Sequence, residues 1–168
     1  MSPDLSVEFE HLRQGGWRCI ENTVPIEWPA AIVVRYPWIP RDISEAMAGL
    51  MEVVSPDQKC WLLTSREYAG DSDSVFAWNE WEQQSIEAAG DDLEWIRQIE
   101  LFWDKHLPIA LSVRDGYGYF ALREDGSVVG GQEPDFEGTA VVASSYSSFL
   151  SLLAEETGKG FHSQDPFI

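Results

Sequence analysis

Apolar residues near the amino terminus are spaced as in a short helix that is followed by a strand. Leu5, Phe9 and Leu12 recur at helical intervals, and Gly15 with Gly16 supplies a stop signal. Prolines then interrupt the chain between Pro25 and Pro40. Between them, the apolar run from Ala30 to Val34 is rich in β-branched residues. Such a composition favours a strand, so we expect one there.

A second helical pattern follows Pro40. Its apolar residues fall on one side of a 3.6-residue period, and Pro56 ends the pattern. These residues are Ile43, Met47, Leu50, Met51 and Val54. The run from Cys60 to Thr64 is continuously apolar up to its last residue and predicts a buried strand.

The chain changes character between Arg66 and His106, where it becomes acidic, rich in tryptophan and, in its second part, mostly helical in pattern. Asp91 or Asp92, after Gly90, is a suitable N-cap for a helix that Pro108 would end. The apolar residues of this helix are Leu93, Trp95, Ile96, Ile99, Phe102 and Trp103. They cover more than one stripe, so we expect the helix to contact the core and, in addition, another surface or a partner chain.

The last third of the chain predicts an antiparallel meander. Four short strands are expected at 109–113, 117–122, 127–129 and 139–143. Asp115-Gly116 and Asp125-Gly126 stand between alternating apolar residues, a strong signal for hairpins. A final helix begins near Ser144 or Ser145 and carries Tyr146, Phe149, Leu150 and Leu153 on one face. The predicted fold class is therefore α+β, with helices packed on an antiparallel sheet.

Within the meander, alternation places Tyr119 and Phe120 on opposite faces of the sheet, and Phe149 is expected to fix the last helix to it. The tail from His162 to Ile168 is expected to be frayed. No repeat or linker divides the sequence, so residues 1–168 are interpreted as a single domain.

Composition narrows the class of protein. The chain has 168 residues, eight of them Trp, and a formal net charge of −18. The aromatic content excludes an intrinsically disordered chain. The amino terminus lacks a basic start followed by an apolar run, and no stretch approaches the roughly 20 apolar residues of a membrane span. We expect a cytoplasmic protein, monomeric or weakly dimeric, in which Cys19 and Cys60 are reduced thiols rather than a disulfide.

The charge is unevenly distributed. Between Asp71 and Asp104 there are ten acidic residues and a single base, Arg97. Such a surface repels phosphate backbones and anionic headgroups, which argues against nucleic acid and membranes as partners. Two interpretations of the acidic segment stay open. It is either a solvated face that keeps the protein soluble or a docking surface for something basic.

No catalytic or metal-binding pattern emerges from the sequence. There is no G-x-S-x-G turn, and Cys60 lies in an apolar run that would raise its pKa and leave it inert. His106 could serve as a general base only if a carboxylate accompanied it. Asp71-Ser72-Asp73 resembles the start of a calcium loop, but Phe76 occupies the position of the required glycine. We therefore predict no catalytic residue, no metal and no cofactor.

The carboxyl-terminal third resembles the SUKH superfamily, which includes Smi/Knr-type cell-wall-assembly regulators and bacterial immunity proteins. The resemblance covers about fifty residues and follows the family's order. It is carried by Leu107-Pro108-Ile109-Ala110, by Asp115-Gly116-Tyr117-Gly118-Tyr119-Phe120-Ala121-Leu122, by Asp125-Gly126-Ser127-Val128-Val129, and by the run from Val142 to Leu150. Upstream the likeness fades, because Met51-Glu52-Val53-Val54 stands where the family usually has Asn-Gly.

The resemblance implies a non-catalytic binding module. Its leading interpretation is an immunity protein that neutralises a basic, nuclease-type toxin, and the charge of the chain fits that role. A regulatory scaffold of the Smi/Knr kind that binds several cellular proteins is the alternative, and an uncharacterised hydrolase is a weaker one. Whether Trp78 and Trp81 belong to the core or to the surface is left open. The predicted partner-binding residues are Asp71, Asp73, Trp78, Glu80, Trp81, Glu82, Asp91, Asp92, Glu94, Asp115 and Tyr117.

Overall fold

A computed structural model describes residues 4–72, 74 and 76–157 of the chain. Its helices are α1 (Ser6–Gln14), α2 (Ala30–Arg35), α3 (Arg41–Gly49), α4 (Ser65–Ala69), α5 (Glu80–Ala89), α6 (Leu93–Trp103) and α7 (Tyr146–Thr157). Its strands are β1 (Arg18–Glu21), β2 (Leu50–Val54), β3 (Cys60–Leu62), β4 (His106–Ser112), β5 (Gly118–Arg123), β6 (Val128–Gln132) and β7 (Asp135–Ala143).

The strands form one antiparallel sheet in the order β1-β2-β3-β4-β5-β6-β7. Each strand pairs with the one that follows it in the chain. The sheet is therefore a meander throughout, and the predicted α+β class is confirmed. The predicted meander covered only the carboxyl-terminal half of this sheet, from β4 to β7, and the predicted strand from Cys60 corresponds to β3.

Helices cover both faces of the sheet, as the alternation of β5 shows. The ring of Tyr119 contacts those of Trp81 and Trp103, at centroid distances of 5.5 and 4.9 Å. The next residue, Phe120, contacts Phe149 of α7 at 4.9 Å. Because consecutive side chains of a strand point to opposite faces, α5 and α6 lie on one face and α7 on the other. The predicted orientations of Tyr119 and Phe120, and the docking of Phe149, are confirmed.

Two predictions in the first half of the chain were wrong. The run 30–34 belongs to helix α2, in which Ile32 is buried while Val33 and Val34 are exposed. Arg35 is hydrogen-bonded to Glu82 of α5, and the Tyr36 hydroxyl donates to the carbonyl of Trp103 in α6. These tertiary contacts outweigh the weak β propensity of the run. The second predicted helix ends at Gly49, and Leu50 to Val54 form strand β2 between β1 and β3.

The prediction for α6 was nearly right. The helix begins after Asp92, whose Oδ1 accepts a hydrogen bond from the backbone N–H of Trp95 at 3.0 Å. It ends at Trp103, before Pro108 is reached. Pro108 is instead a residue of β4, at an irregularity in the pairing with β5, and such irregularities are where a sheet tolerates proline.

The first helix and the buried strand from Cys60 were also predicted at the right places. Cys19 and Cys60 are free thiols, as expected. Strand β1 and helix α4 were not predicted. The prediction for the tail, 162–168, lies outside the described residues.

Candidate protein-binding surface

Two tryptophans hold α5 and α6 against the sheet. Trp81 is 2% exposed and contacts Tyr119 and Phe136, and Trp103 is 1% exposed. The indole Nε1–H of Trp103 donates to Glu137 Oε1 at 2.8 Å, so its polar atom is paired. Trp81 is therefore a core residue rather than a surface residue, because a side chain this buried cannot contact a partner.

An ion cluster anchors α2 to the same pair of helices. The Arg35 guanidinium donates to both oxygens of Glu82, at 2.7 and 2.9 Å, and its Nε donates to Asp104 Oδ1 at 2.9 Å. The Glu82 side chain is only 8% exposed. The neighbouring carboxylates, chiefly Glu82, raise the pKa of Arg35 far above its ordinary value. We call these three residues the Arg35 cluster.

The prediction that Glu82 is a rim charge was therefore wrong. The sequence places Glu82 in an acidic run, but nothing in that run reveals Arg35, which lies 47 residues away. The structure brings the two together and neutralises the carboxylate inside the fold.

Trp78 and Glu80 occupy intermediate positions. Trp78 is half-buried and makes edge contacts with the rings of Tyr36 and Tyr68, at 6.3 and 5.7 Å. Glu80, also half-buried, accepts from the Gln84 amide at 3.1 Å. Trp78 therefore serves mainly to pack the segment before α5 against Tyr36 and Tyr68.

The remaining predicted residues that the structure describes are exposed. Asp91, Asp92 and Glu94 lie at the start of α6. Asp115 and Tyr117 lie between β4 and β5, where the ring of Tyr117 contacts that of Phe76 at 5.1 Å, and Asp71 follows α4. Asp73 lies outside the described residues.

Three apolar residues of α6 that were not singled out face outward. Leu93 is 79% exposed, Trp95 49% and Leu101 52%. The sequence signal for them was present, since the apolar residues of this helix exceed one stripe. Ile99 and Trp103 form the inward stripe. At about 100° per residue these three side chains are spread around α6 rather than aligned on one stripe. The exposed surface of the helix thus carries apolar side chains together with the carboxylates at its start.

A cleft of about 590 Å³ lies between α5, α6 and the start of β7. We call it the α5–α6 cleft. Residues of α5 and α6 line two sides, and Pro134 with the first residues of β7 lines the third. Its lining residues are Gln84, Ser85, Ala88, Trp95, Gln98, Ile99, Phe102, Pro134, Asp135, Phe136 and Glu137.

The residues considered for catalysis do not form a pair. Burial raises the pKa of the Cys60 thiol to about 12, which makes it a poor nucleophile. Cys60 is in register with Ser112, whereas His106 begins the same strand β4 six residues earlier. At about 3.3 Å per residue the two are separated by about 20 Å. Burial also lowers the pKa of His106, whose ring stacks on Phe102 at 3.9 Å.

Within the part of the chain that the structure describes, no three His, Cys, Asp or Glu side chains are grouped so that they could hold a metal ion. Across the same residues, every helix is too short or too polar to traverse a lipid bilayer. The fold and the surface define an α+β domain with an acidic, partly apolar helical face. Comparison with known protein families, with curated proteins and with solved structures finds no match to this chain.

Proposed function

We propose that this protein is a non-catalytic binding module for a basic protein. The observation that carries the proposal is the exposed apolar surface of α6, to which Trp95, half exposed, and Leu93 and Leu101, more than half exposed, contribute. These side chains lie in a segment with ten acidic residues and one base, and two of the ten, Glu82 and Asp104, are paired with Arg35. Apolar anchors inside a charged rim are the composition of a protein interface rather than of a solvated face.

The two kinds of residue contribute differently to binding. Carboxylates around an interface attract a cationic partner over several ångströms and raise its association rate by factors of about 10 to 10³ at low salt. Affinity comes from large side chains that lose their water, and tryptophan is prominent among them. Trp95 meets this description, whereas Trp81, which is buried, does not.

The proposed partner is a nuclease-type toxin domain. Enzymes that act on nucleic acid carry basic surfaces, and a net charge of −18 on the antidote complements them. The SUKH resemblance supports the same role, since many members of that superfamily are immunity proteins. A Smi/Knr-type scaffold shares the resemblance but would bind several unrelated proteins.

The test is capture at low salt with the full chain as bait, followed by kinetics on whatever binds stoichiometrically. We expect one basic protein at a one-to-one ratio, whose toxicity in cells is blocked by co-expression. Its association rate constant should fall at least tenfold as salt rises from about 20 mM to about 500 mM. Several unrelated partners, or a rate constant that does not depend on salt, would overturn the proposal.

A charge-reversal pair sharpens this test. Glu94→Lys with Glu100→Lys reverses two exposed carboxylates of α6. The matched control is Glu27→Lys with Glu155→Lys, which changes the net charge equally at exposed positions outside α5 and α6. The first pair should slow association severalfold more than the control. Equal slowing by both pairs would show that only the overall charge matters and that α6 is not the contact.

A further inference from the structure

We infer that the α5–α6 cleft receives a short segment of the basic partner in which an arginine stands next to a large apolar side chain. This inference rests on the proposed function in one respect, namely that the partner is a cationic protein. The inference adds two things to that function: the place at which the partner's segment binds and the side chains that this segment carries.

The floor and walls of the cleft suit an apolar side chain. Ile99 and Phe136 are buried, at 2% and 5% exposure, and form its base. Trp95, half exposed, and Phe102, half buried, line the α6 side, and Pro134 lines the opposite side. A volume of about 590 Å³ lies within the range of sites that bury most of a small ligand. Covering Trp95 and filling this space would remove apolar surface from water.

The polar edge of the cleft selects a cation. Asp135 and Glu137 line it, and no Lys or Arg is among the lining residues. Both carboxylates are held in place through one oxygen. Glu137 Oε1 accepts from Trp103, and Asp135 Oδ1 accepts from the backbone N–H of Gly138 at 3.1 Å. Neither forms an ion pair with a described residue. A cationic group on the occupant would therefore meet two oriented negative charges.

Arginine fits this edge better than lysine does. A guanidinium is planar, binds carboxylates through two hydrogen bonds and stacks on aromatic faces. The cleft offers both carboxylates and the exposed indole of Trp95. The adjacent apolar side chain of the partner would then occupy the space above Ile99 and Phe136.

The inference can be tested without the natural partner, by titrating the full-length protein with short peptides. The probe is acetyl-Gly-Arg-Phe-Arg-Gly-amide, and the controls replace both Arg with Glu, both Arg with Lys, or Phe with Gly. The readout is the ¹⁵N–¹H spectrum, in which the Trp95 indole signal is assigned with Trp95→Phe. We expect saturable shifts of the Trp95 indole and the Gly138 amide with the Arg-Phe-Arg peptide. At least tenfold weaker binding is expected with the Glu and Gly controls, and weaker binding with Lys.

Matched variants identify the cleft. Asp135→Asn with Glu137→Gln removes both charges but keeps the oxygens that accept the hydrogen bonds, so the fold should be retained. Affinity for the probe should fall about tenfold. Ala88→Lys places a cation in the cleft and should block the probe, whereas Gln83→Lys adds the same charge at an exposed α5 position that does not line the cleft. Binding unchanged in Ala88→Lys, or lost equally in Gln83→Lys, would refute the inference.

The inference and the proposed function fail in different ways. If a basic partner binds the wild type and Trp95→Ala equally well, the proposed function stands and the cleft is not the contact. If no basic protein is captured, the proposed function fails, and the peptide titration alone decides what the cleft binds. For a captured partner, Trp95→Ala should weaken affinity about thirtyfold, mostly through faster dissociation.

Discussion

The Arg35 cluster should contribute strongly to stability, and Arg35→Met tests this directly. The substitution keeps most of the side-chain volume but leaves Glu82, whose side chain is 8% exposed, without its cation. Breaking a buried pair by removing one partner costs about 3–5 kcal/mol. Because the Arg35 side chain is itself 25% exposed, we expect the lower end of this range, about 3 kcal/mol. For a chain of this length that corresponds to a melting temperature about 6–12 °C lower.

The measurement is urea unfolding followed by tryptophan fluorescence, with the unfolding free energy taken from midpoint and slope. Glu82→Leu combined with Arg35→Met removes both charges and should recover much of the loss, since a buried pair can be replaced by apolar residues at little cost. Arg41→Met is the matched control. Arg41 pairs with Glu45 on the surface of α3, where the two side chains are 87% and 62% exposed, and its loss should cost less than about 0.5 kcal/mol.

The reasoning would be refuted if Arg35→Met and Arg41→Met lowered the unfolding free energy equally. It would also be refuted if the double substitution were as unstable as Arg35→Met alone. Either result would mean that Glu82 is solvated in the native state and that α2 is not held to α5 and α6 through this carboxylate.

Three further outcomes are expected. Phe149→Ala removes a fully buried ring at the interface of α7 and β5 and should lower the unfolding free energy, measured in urea, by about 3–5 kcal/mol. The control Val34→Ala, at a residue that is 80% exposed, should change it by less than about 0.5 kcal/mol. Arg114 and Ser55 lower the pKa of the Asp57 carboxyl below its usual value, so the wild type should be more stable than Asp57→Asn at pH 7. This difference in unfolding free energy should shrink as the pH falls below about 4, the pKa of Asp57 in the unfolded state. A difference that stays constant between pH 7 and pH 3 would contradict the prediction. Cys60, which is fully buried, should react with a thiol reagent at pH 8 only after unfolding, and labelling of the native protein at the rate of a free thiol would contradict the burial.

The carboxyl-terminal half of the fold was predictable because its signals are local. Asp115-Gly116 and Asp125-Gly126 mark the turns of β4–β5 and β5–β6, and the strands between them need only their neighbours in sequence. The amino-terminal half was less predictable. A run such as Leu50 to Val54 has both helical spacing and β-branched residues, and only its place between β1 and β3 decides for a strand.

The candidate surface was predictable in location but not in its members. The excess of acidic residues and the double apolar stripe on α6 both pointed to the region around α5 and α6. Sequence spacing could not show that Glu82 meets Arg35 from a distant helix or that Trp81 points into the sheet, because both depend on tertiary packing. The same limit hid the cleft, one side of which comes from Pro134 and the first residues of β7.

Stability and binding are assigned to different residues of the same two helices. Trp81, Trp103 and the Arg35 cluster face the sheet and α2, so substitutions there act first on the unfolding free energy. Trp95 and Leu101 are half exposed, so their truncation removes less buried area from the native state than truncation of Trp81 or Trp103 does. A partner that depends on the second set should therefore lose affinity for Trp95→Ala, while the melting temperature falls by much less than in Trp81→Ala. If Trp95→Ala instead lowers the melting temperature as much as Trp81→Ala does, Trp95 contributes to the fold in a way that its exposure does not show.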